Sequence, residues 1–179
     1  SGKLLAEDFS KSLYKIVKGT KKKLWNKAIE VLESDSTFTE LNVREWSNYH
    51  MGHYTEKNIN EIDAESEEMV EEAIFEKNIV PMFERLSSGH KVILLTIAKL
   101  VELVEEKTLV LLDEPEEHLH PPLVSAFIRT LSDLLIYRNG VGIVATHSPV
   151  IVQEVPKRCV WILRRSGNEL IAERPCIET

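Results

Sequence analysis

The sequence predicts an α/β fold, with a parallel sheet and flanking helices in its second part and a mainly helical arm in its first. Two apolar runs, Thr108 to Leu112 and Val141 to Ala145, lack alternation and so indicate strands buried on both faces. A helical pattern separates them, which predicts a right-handed strand–helix–strand crossover. We therefore divide the chain into an arm, residues 1–80, and a lobe, residues 81–179.

The arm is predicted to consist mostly of helices. Apolar residues recur at helical spacing from Leu4 to Leu32 and break near Gly19, which indicates two helices. Residues 34–60 are polar and irregular, and short strands are one alternative there. Residues 61–77 carry eight acidic side chains on a thin apolar stripe, a pattern typical of a solvated helix.

The lobe continues this order of elements. A helix should follow Gly89 and be buried on most sides, because its apolar residues are nearly continuous. A second helix should run from Leu123 to Leu135, after a pair of prolines. Residues 160–163 and 170–172, separated by a turn at Gly167, predict a hairpin that closes the sheet at its edge.

Composition bounds the function. With 179 residues and 43% hydrophobic composition the chain can bury one core, and its net charge of −7 provides no general attraction to nucleic acid or to an anionic membrane. It shows no signal peptide and no apolar run of about 18 residues. The spacing of Cys159 and Cys176 is not that of a metal site, as expected for structural thiols in a reducing compartment. We therefore expect a cytoplasmic protein that is not embedded in a membrane.

Two acids follow the first predicted strand. Asp113 and Glu114 would stand at the carboxyl edge of the sheet, where open α/β sheets bind ligands. One carboxylate there can hold Mg²⁺, directly or through water, and the next can deprotonate a water molecule that attacks a γ-phosphate. The alternative is a strand that simply ends in a polar turn.

His147 follows the second predicted strand, which should lie beside the first. A histidine in that place can donate a hydrogen bond to a γ-phosphate oxygen or hold the attacking water. On its own, it could equally be a structural residue at the end of a strand.

A third segment precedes the first helix of the lobe. The hydroxyls of Ser87 and Ser88, the flexible Gly89 and the free N–H groups of a helix start can together bind an anion. The simpler alternative is that one of the serines only caps the helix.

In order and spacing, these three segments resemble the signature, Walker B and switch-histidine motifs of ATP-binding-cassette ATPases. The closest resemblance is to a soluble AAA-type branch related to SMC-type chromosome and repair ATPases, which includes bacterial ATPases of anti-phage defence and overcoming-lysogenisation systems. It extends from Leu86 to about Leu163. The segments read Leu86-Ser87-Ser88-Gly89-His90, Asp113-Glu114-Pro115-Glu116-Glu117-His118-Leu119-His120-Pro121 and Ala145-Thr146-His147-Ser148-Pro149.

The resemblance implies the C-terminal lobe of a P-loop NTPase that uses ATP and Mg²⁺ in a head-to-tail homodimer. Asp113 would then be the Mg²⁺-associated acid, Glu114 the general base and His147 the switch histidine. The residues that would contact the ATP of the partner subunit are Ser87, Ser88, Gly89 and His90. Glu117 to His120 would cross the dimer interface. In this family hydrolysis drives a conformational switch, which implies a role in DNA repair, DNA maintenance or phage defence, with DNA or a nuclease effector as a further partner.

The sequence departs from the family at two points. His90 stands where members usually carry glutamine, glutamate or a similar polar residue. No complete G-x-x-x-x-G-K-[ST] phosphate-binding loop, the Walker A motif, is present; Ser1-Gly2-Lys3 mimics its end, but Leu4 stands where a serine or threonine is needed. We therefore expect the isolated chain to be inactive as an ATPase.

Other functions fit parts of the pattern. Without a phosphate cradle, the chain could be a non-enzymatic dimerisation or regulatory half. His118 and His120, with Asp113 and His147 nearby, could instead form the zinc site of a metal-dependent hydrolase. Six lysines between Lys15 and Lys27 give weak support for DNA binding, against the alternative of a solvated helix face.

Overall fold

A computed structural model describes residues 2–47, 64–117 and 119–175 of the chain. Five helices occupy its first part: α1 Gly2–Lys18, α2 Lys22–Leu32, α3 Ser36–Thr39, α4 Val43–Trp46 and α5 Ala64–Glu84. The second part contains α6 Ser88–Leu103, β1 Leu109–Asp113, α7 Pro121–Tyr137, β2 Val141–Ala145, α8 Pro149–Glu154, a 3₁₀ turn Lys157–Cys159, β3 Ile162–Ser166 and β4 Glu169–Glu173.

An aromatic cluster holds the helices together. Phe9 of α1 is fully buried and stacks on Phe83 of α5, with ring centroids 4.5 Å apart. The ring centroids of Trp25 in α2 and Trp46 in α4 each lie 6.2 Å from that of Phe9. Such a cluster removes large apolar surfaces from water, which is the main stabilising contribution to a helical core.

The predicted arm and lobe share this core. Helix α1 packs against both α5 and α6, and α2 packs against α7. The buried apolar residues from Ala6 to Ile151 form one cluster. The division that we predict between residues 80 and 81 falls inside α5, which continues without interruption to Glu84.

Most of the predicted helices are confirmed in the arm. Helices α1 and α2 flank Gly19 as expected, and the acidic segment is helical over its described part. Short strands are wrong for residues 34–47, because Asp35 accepts a hydrogen bond from Thr37 N at 2.9 Å and so begins a short helix instead. Residues 48–60, where the same expectation applied, lie outside the described residues. The acidic helix also extends further than predicted. Its later turns are packed into the core, where Phe75, Ile79 and Phe83 are buried.

Strands β1 and β2 are parallel neighbours, as the sequence predicts, with Leu109 paired with Val141 and Asp113 with Ala145. Helix α7 packs on one face of the pair, against β2, and a Cβ at Gly142 would lie 2.8 Å from Cδ1 of Leu135, so a larger residue there would require that side chain to move.

No described element covers the other face of this sheet, which we call the bare face. Side chains alternate between the faces of a strand, so this face carries four large apolar residues that are 56 to 67% exposed: Leu109, Leu111, Val141 and Ile143. The expectation that both strands are buried on both faces is therefore wrong for the described residues, because no described element covers this side.

Two further expectations need correction. The hairpin exists as β3 and β4, with Gly167 in the left-handed conformation at its turn, but in the described residues it forms a separate sheet and does not extend β1–β2. Helix α6 is buried along one side only, since Val92 and Leu103 are 44% and 66% exposed. Among the described helices, none combines the length and apolar character needed to cross a membrane.

Leu13 and Leu4 offer a matched test of this core. Both lie on α1, but Leu13 is fully buried and Leu4 is 65% exposed. Leu13→Ala should lower the free energy of unfolding by about 2 to 5 kcal/mol, because it leaves a cavity. Leu4→Ala should change it by less than about 0.5 kcal/mol. Urea unfolding followed by circular dichroism measures both, and equal losses would contradict the described packing.

Candidate functional site

The candidate site lies at the carboxyl ends of β1 and β2. Asp113 is the last residue of β1 and is exposed, in register with Ala145 of β2. The next residue, Glu114, donates its N–H to the carbonyl of Ala145 at 2.9 Å and has a positive φ of 43°. The left-handed backbone at a non-glycine residue is a sparsely populated conformation that surrounding contacts must hold.

Glu114 and His147 meet across the two strands. His147 Nδ1 lies 2.5 Å from Glu114 Oε2, and the backbone N–H of His147 donates to the same oxygen at 3.4 Å. Because a carboxylate only accepts, this geometry assigns the proton to Nδ1. The imidazole is 81% exposed and the Glu114 side chain 32%, so both groups are open to a ligand. The structure thus brings together the predicted base and the predicted switch histidine.

Glu116 is a further residue of the candidate site, to which the sequence motifs assign no role. Its side chain is only 9% exposed, and its Oε1 accepts hydrogen bonds from the Thr146 hydroxyl and from Ser148 N, the latter at 3.1 Å. The same oxygen lies 4.0 Å from His147 Nδ1. The one sequence feature that points to Glu116 is that it is a third acidic residue, two positions after Glu114 and in the same turn.

Two opposing influences act on the Glu116 carboxyl. Burial raises its pKa, but the hydrogen bond from Thr146 and the nearby His147 ring are among the contacts that lower it. The net pKa lies below the ordinary glutamate value of 4.5, so Glu116 is a charged acceptor at neutral pH.

Three of these side chains are close enough to share a cation. The ligand atoms of Glu114, Glu116 and His147 all lie within 4.8 Å of one another. Asp113, predicted to hold Mg²⁺, is not part of this group, but its exposed carboxylate is the hard oxygen ligand that Mg²⁺ prefers. The carboxylates of Asp113 and Glu114 at the end of β1 are thus oxygen donors of the kind that Mg²⁺ requires.

The predicted phosphate-contacting segment is used differently within this chain. Ser87 is the N-cap of α6 and accepts from His90 N at 3.3 Å, which is the simpler alternative raised from the sequence. Its hydroxyl also lies 2.7 Å from His90 Nδ1, and His90 Nε2 lies 2.9 Å from the hydroxyl of Thr37 on α3. Ser88 is exposed and Gly89 buried in the first turn. This segment is therefore hydrogen-bonded to α3, through His90 and Thr37. Among the described residues it makes no contact with Glu114 or His147.

His120 and the lysine cluster make structural contacts. His120 caps α7 through Leu123 N, which favours a structural role over a zinc ligand; His118 lies outside the described residues. Lys15 pairs with Glu102 at 3.1 Å, and Lys18 and Lys21 also pair with carboxylates. These ion pairs offset part of the positive charge that suggested a DNA contact.

Comparison with known proteins gives a family and a phage relative. The profile of a family described as "AAA domain, putative AbiEii toxin, Type IV TA system" matches residues 29–153, more than half of the chain. Protein ea59 of Escherichia phage lambda is 48% identical over 159 residues. The alignment covers 89% of this chain and 30% of that protein, so the chain spans about a third of the relative's length. No solved structure matches the chain significantly.

His90 predicts a pH dependence of stability. Burial, and then the neighbouring His120, lower its pKa below 6.5, and Asp35 only partly opposes them. Because the folded-state pKa is the lower one, His90 stabilises the fold above pH 6.5, and this contribution is lost as the pH falls through the folded pKa. His90→Gln should therefore lose less stability than the wild type between pH 7 and pH 5.

Urea unfolding at each pH and an NMR titration of the His90 ring measure this effect. A titration midpoint at or above 6.5, or parallel stability profiles for the two proteins, would contradict it.

Proposed function

Since the chain belongs to the AAA-domain family of P-loop NTPases, we propose that it supplies the water-activating half of an ATP-hydrolysing site. This family is one of nucleotide-dependent ATPases. The observation that carries the proposal is the meeting of Glu114 and His147, which come from the ends of two different strands and approach to 2.5 Å. Ligands of open α/β sheets bind at this edge.

Glu114 acts as the general base. Its carboxylate orients a water molecule and accepts a proton from it as the water oxygen bonds to the γ-phosphorus. The bond from that phosphorus to the bridging oxygen breaks, and the electron pair leaves with ADP. His147 stabilises the negative charge that grows on the γ-phosphate oxygens, because its ring is exposed beside the base.

Asp113 would hold Mg²⁺, directly or through water. The cation, when bound, neutralises charge on the phosphates. The position of Asp113 directly before Glu114, at the end of β1, supports this assignment, since one strand then presents both acids to the same edge.

The site is completed in a head-to-tail homodimer. Ser87, Ser88, Gly89 and His90 lie at the start of α6, where free N–H groups and the helix dipole favour a phosphate. Their place in the motif order supports contact with the ATP of the partner subunit. The exposure of Ser88 leaves its hydroxyl accessible for that contact.

A further layer of polypeptide covers the bare face of β1–β2 and carries the phosphate-binding loop. The four exposed apolar residues on this face support the proposal, because parallel sheets are normally covered on both sides. The length of Protein ea59, about three times the matched region, also supports additional structure around such a chain.

A phage-associated role follows from this relative. DNA repair, DNA maintenance, phage defence and a nuclease or other effector partner rest on the resemblance of the motifs. The ion pairs of the lysine cluster give DNA binding no added support.

Glu114→Gln tests the hydrolytic proposal in a protein that carries both this chain and a phosphate-binding loop. Loss of the base should lower kcat for ATP by about 10²- to 10⁴-fold, with Mg-ATP still bound and the dimer trapped. Phosphate release and sedimentation measure the two effects. Glu106→Gln, which changes an exposed carboxylate before the opposite end of β1, is the control. Wild-type turnover would contradict the base assignment, and a monomer at saturating ATP would contradict the dimer.

Leu111→Lys tests the covering layer. In the 179-residue chain, where Leu111 is 67% exposed, this change should alter the free energy of unfolding by less than about 0.5 kcal/mol. In a protein that contains the phosphate-binding loop, the same change should lower the free energy of unfolding several-fold more, because the lysine charge would be buried. Leu4→Lys on α1, 65% exposed, is the control in both proteins. Equal tolerance of Leu111→Lys in both would argue against the layer.

A further inference from the structure

A single buried carboxylate joins the two loops that carry the candidate base and the candidate switch histidine. Glu116 follows β1, whereas the groups that donate to its Oε1, the Thr146 hydroxyl and Ser148 N, follow β2. These donors lie immediately before and immediately after His147. Glu116 is therefore hydrogen-bonded to the residues on both sides of the histidine, through the side chain of Thr146 and the backbone of Ser148.

These hydrogen bonds restrain the position of the His147 imidazole. His147 Nδ1 is 2.5 Å from Glu114 Oε2 and 4.0 Å from Glu116 Oε1, so the Nδ1 side of the ring faces both carboxylates. The His147 side chain itself is 81% exposed, so packing alone does little to orient it. An exposed ring needs an anchored backbone to keep one orientation.

The burial of Glu116 separates it from an ordinary surface acid. Its side chain is 9% exposed, and its second oxygen is buried with no partner among the described residues. Ser148 N also donates to Thr146 Oγ1 at 2.9 Å, so the Thr146–Ser148 loop and the carboxylate form one compact network. The hydrogen bonds that offset the desolvation cost of this carboxylate are made by Oε1, and both come from this loop.

We propose that Glu116 is a positioning residue of the hydrolytic site: it anchors the loop from Thr146 to Ser148 and thereby keeps His147 Nδ1 on Glu114. This role rests on the proposed ATP hydrolysis, because its catalytic value lies in presenting His147 and Glu114 together. Outer partners of this kind orient the groups that touch substrate.

The first experiment uses the 179-residue chain and ¹⁵N–¹H NMR of its histidine rings. Glu116→Ala should shift the ring-nitrogen resonances of His147 and the amide resonance of Ser148, because both lose their anchor. Glu116→Gln keeps an acceptor oxygen and should shift them much less. Glu106→Ala, which removes an exposed carboxylate before the far end of β1, should leave them unchanged. Should Glu116→Ala not fold, Thr146→Val removes one donor and carries the same expectation.

The second experiment measures turnover in a protein that also contains the phosphate-binding loop. Glu116→Ala should lower kcat about 10- to 100-fold with little change in the KM for ATP, and Glu116→Gln should restore most of it. A merely structural role would not produce this split or this rescue.

The two experiments distinguish a failure of the positioning role from a failure of the proposed function. His147 resonances that stay in place in Glu116→Ala, or normal kcat in that variant beside an inactive Glu114→Gln, would overturn the positioning role. A Glu114→Gln variant that hydrolyses ATP at the wild-type rate would overturn the proposed function itself.

Discussion

The parallel pairing of β1 with β2 is the constraint on which the candidate site depends. Parallel strands end at the same edge, and the register that pairs Asp113 with Ala145 brings the following residues, Glu114 and Thr146, side by side. The bond from Glu114 N to the Ala145 carbonyl extends this pairing one step beyond the strands. A slip of one residue would turn every side chain to the other face and separate Glu114 from His147.

The stability of the chain lies mostly away from this edge. Phe9, Trp25 and Phe83 form a closed aromatic core among the helices, whereas β1 and β2 are supported on one face by α7. An isolated pair of strands is marginally stable in water, so the packing of α7 on β2 is needed to support it. The helical core can therefore hold the strands in place while their other face and the loops that follow them remain exposed.

Ser87 shows how one hydroxyl serves the fold while standing in a motif associated with phosphate. It caps α6 and bonds to His90, whose other nitrogen reaches Thr37 on α3. This chain of hydrogen bonds ties the start of α6 to the helical part. The N-cap reading and the phosphate-contact proposal are compatible, because the cap orients the free N–H groups of the first turn.

The sequence by itself determined the helices α1, α2 and α7, the two parallel strands and the residues that follow them, because apolar periodicity and the acids after β1 are local signals. The family resemblance singled out Glu114 and His147 on the same basis. Only the tertiary structure decided that residues 36–46 form short helices, that one sheet face is bare and that the hairpin stands apart. It also revealed Glu116, since an acid in a turn looks solvated until a loop some thirty residues away donates to it. Such outcomes depend on which surfaces meet, and spacing along the chain does not encode that.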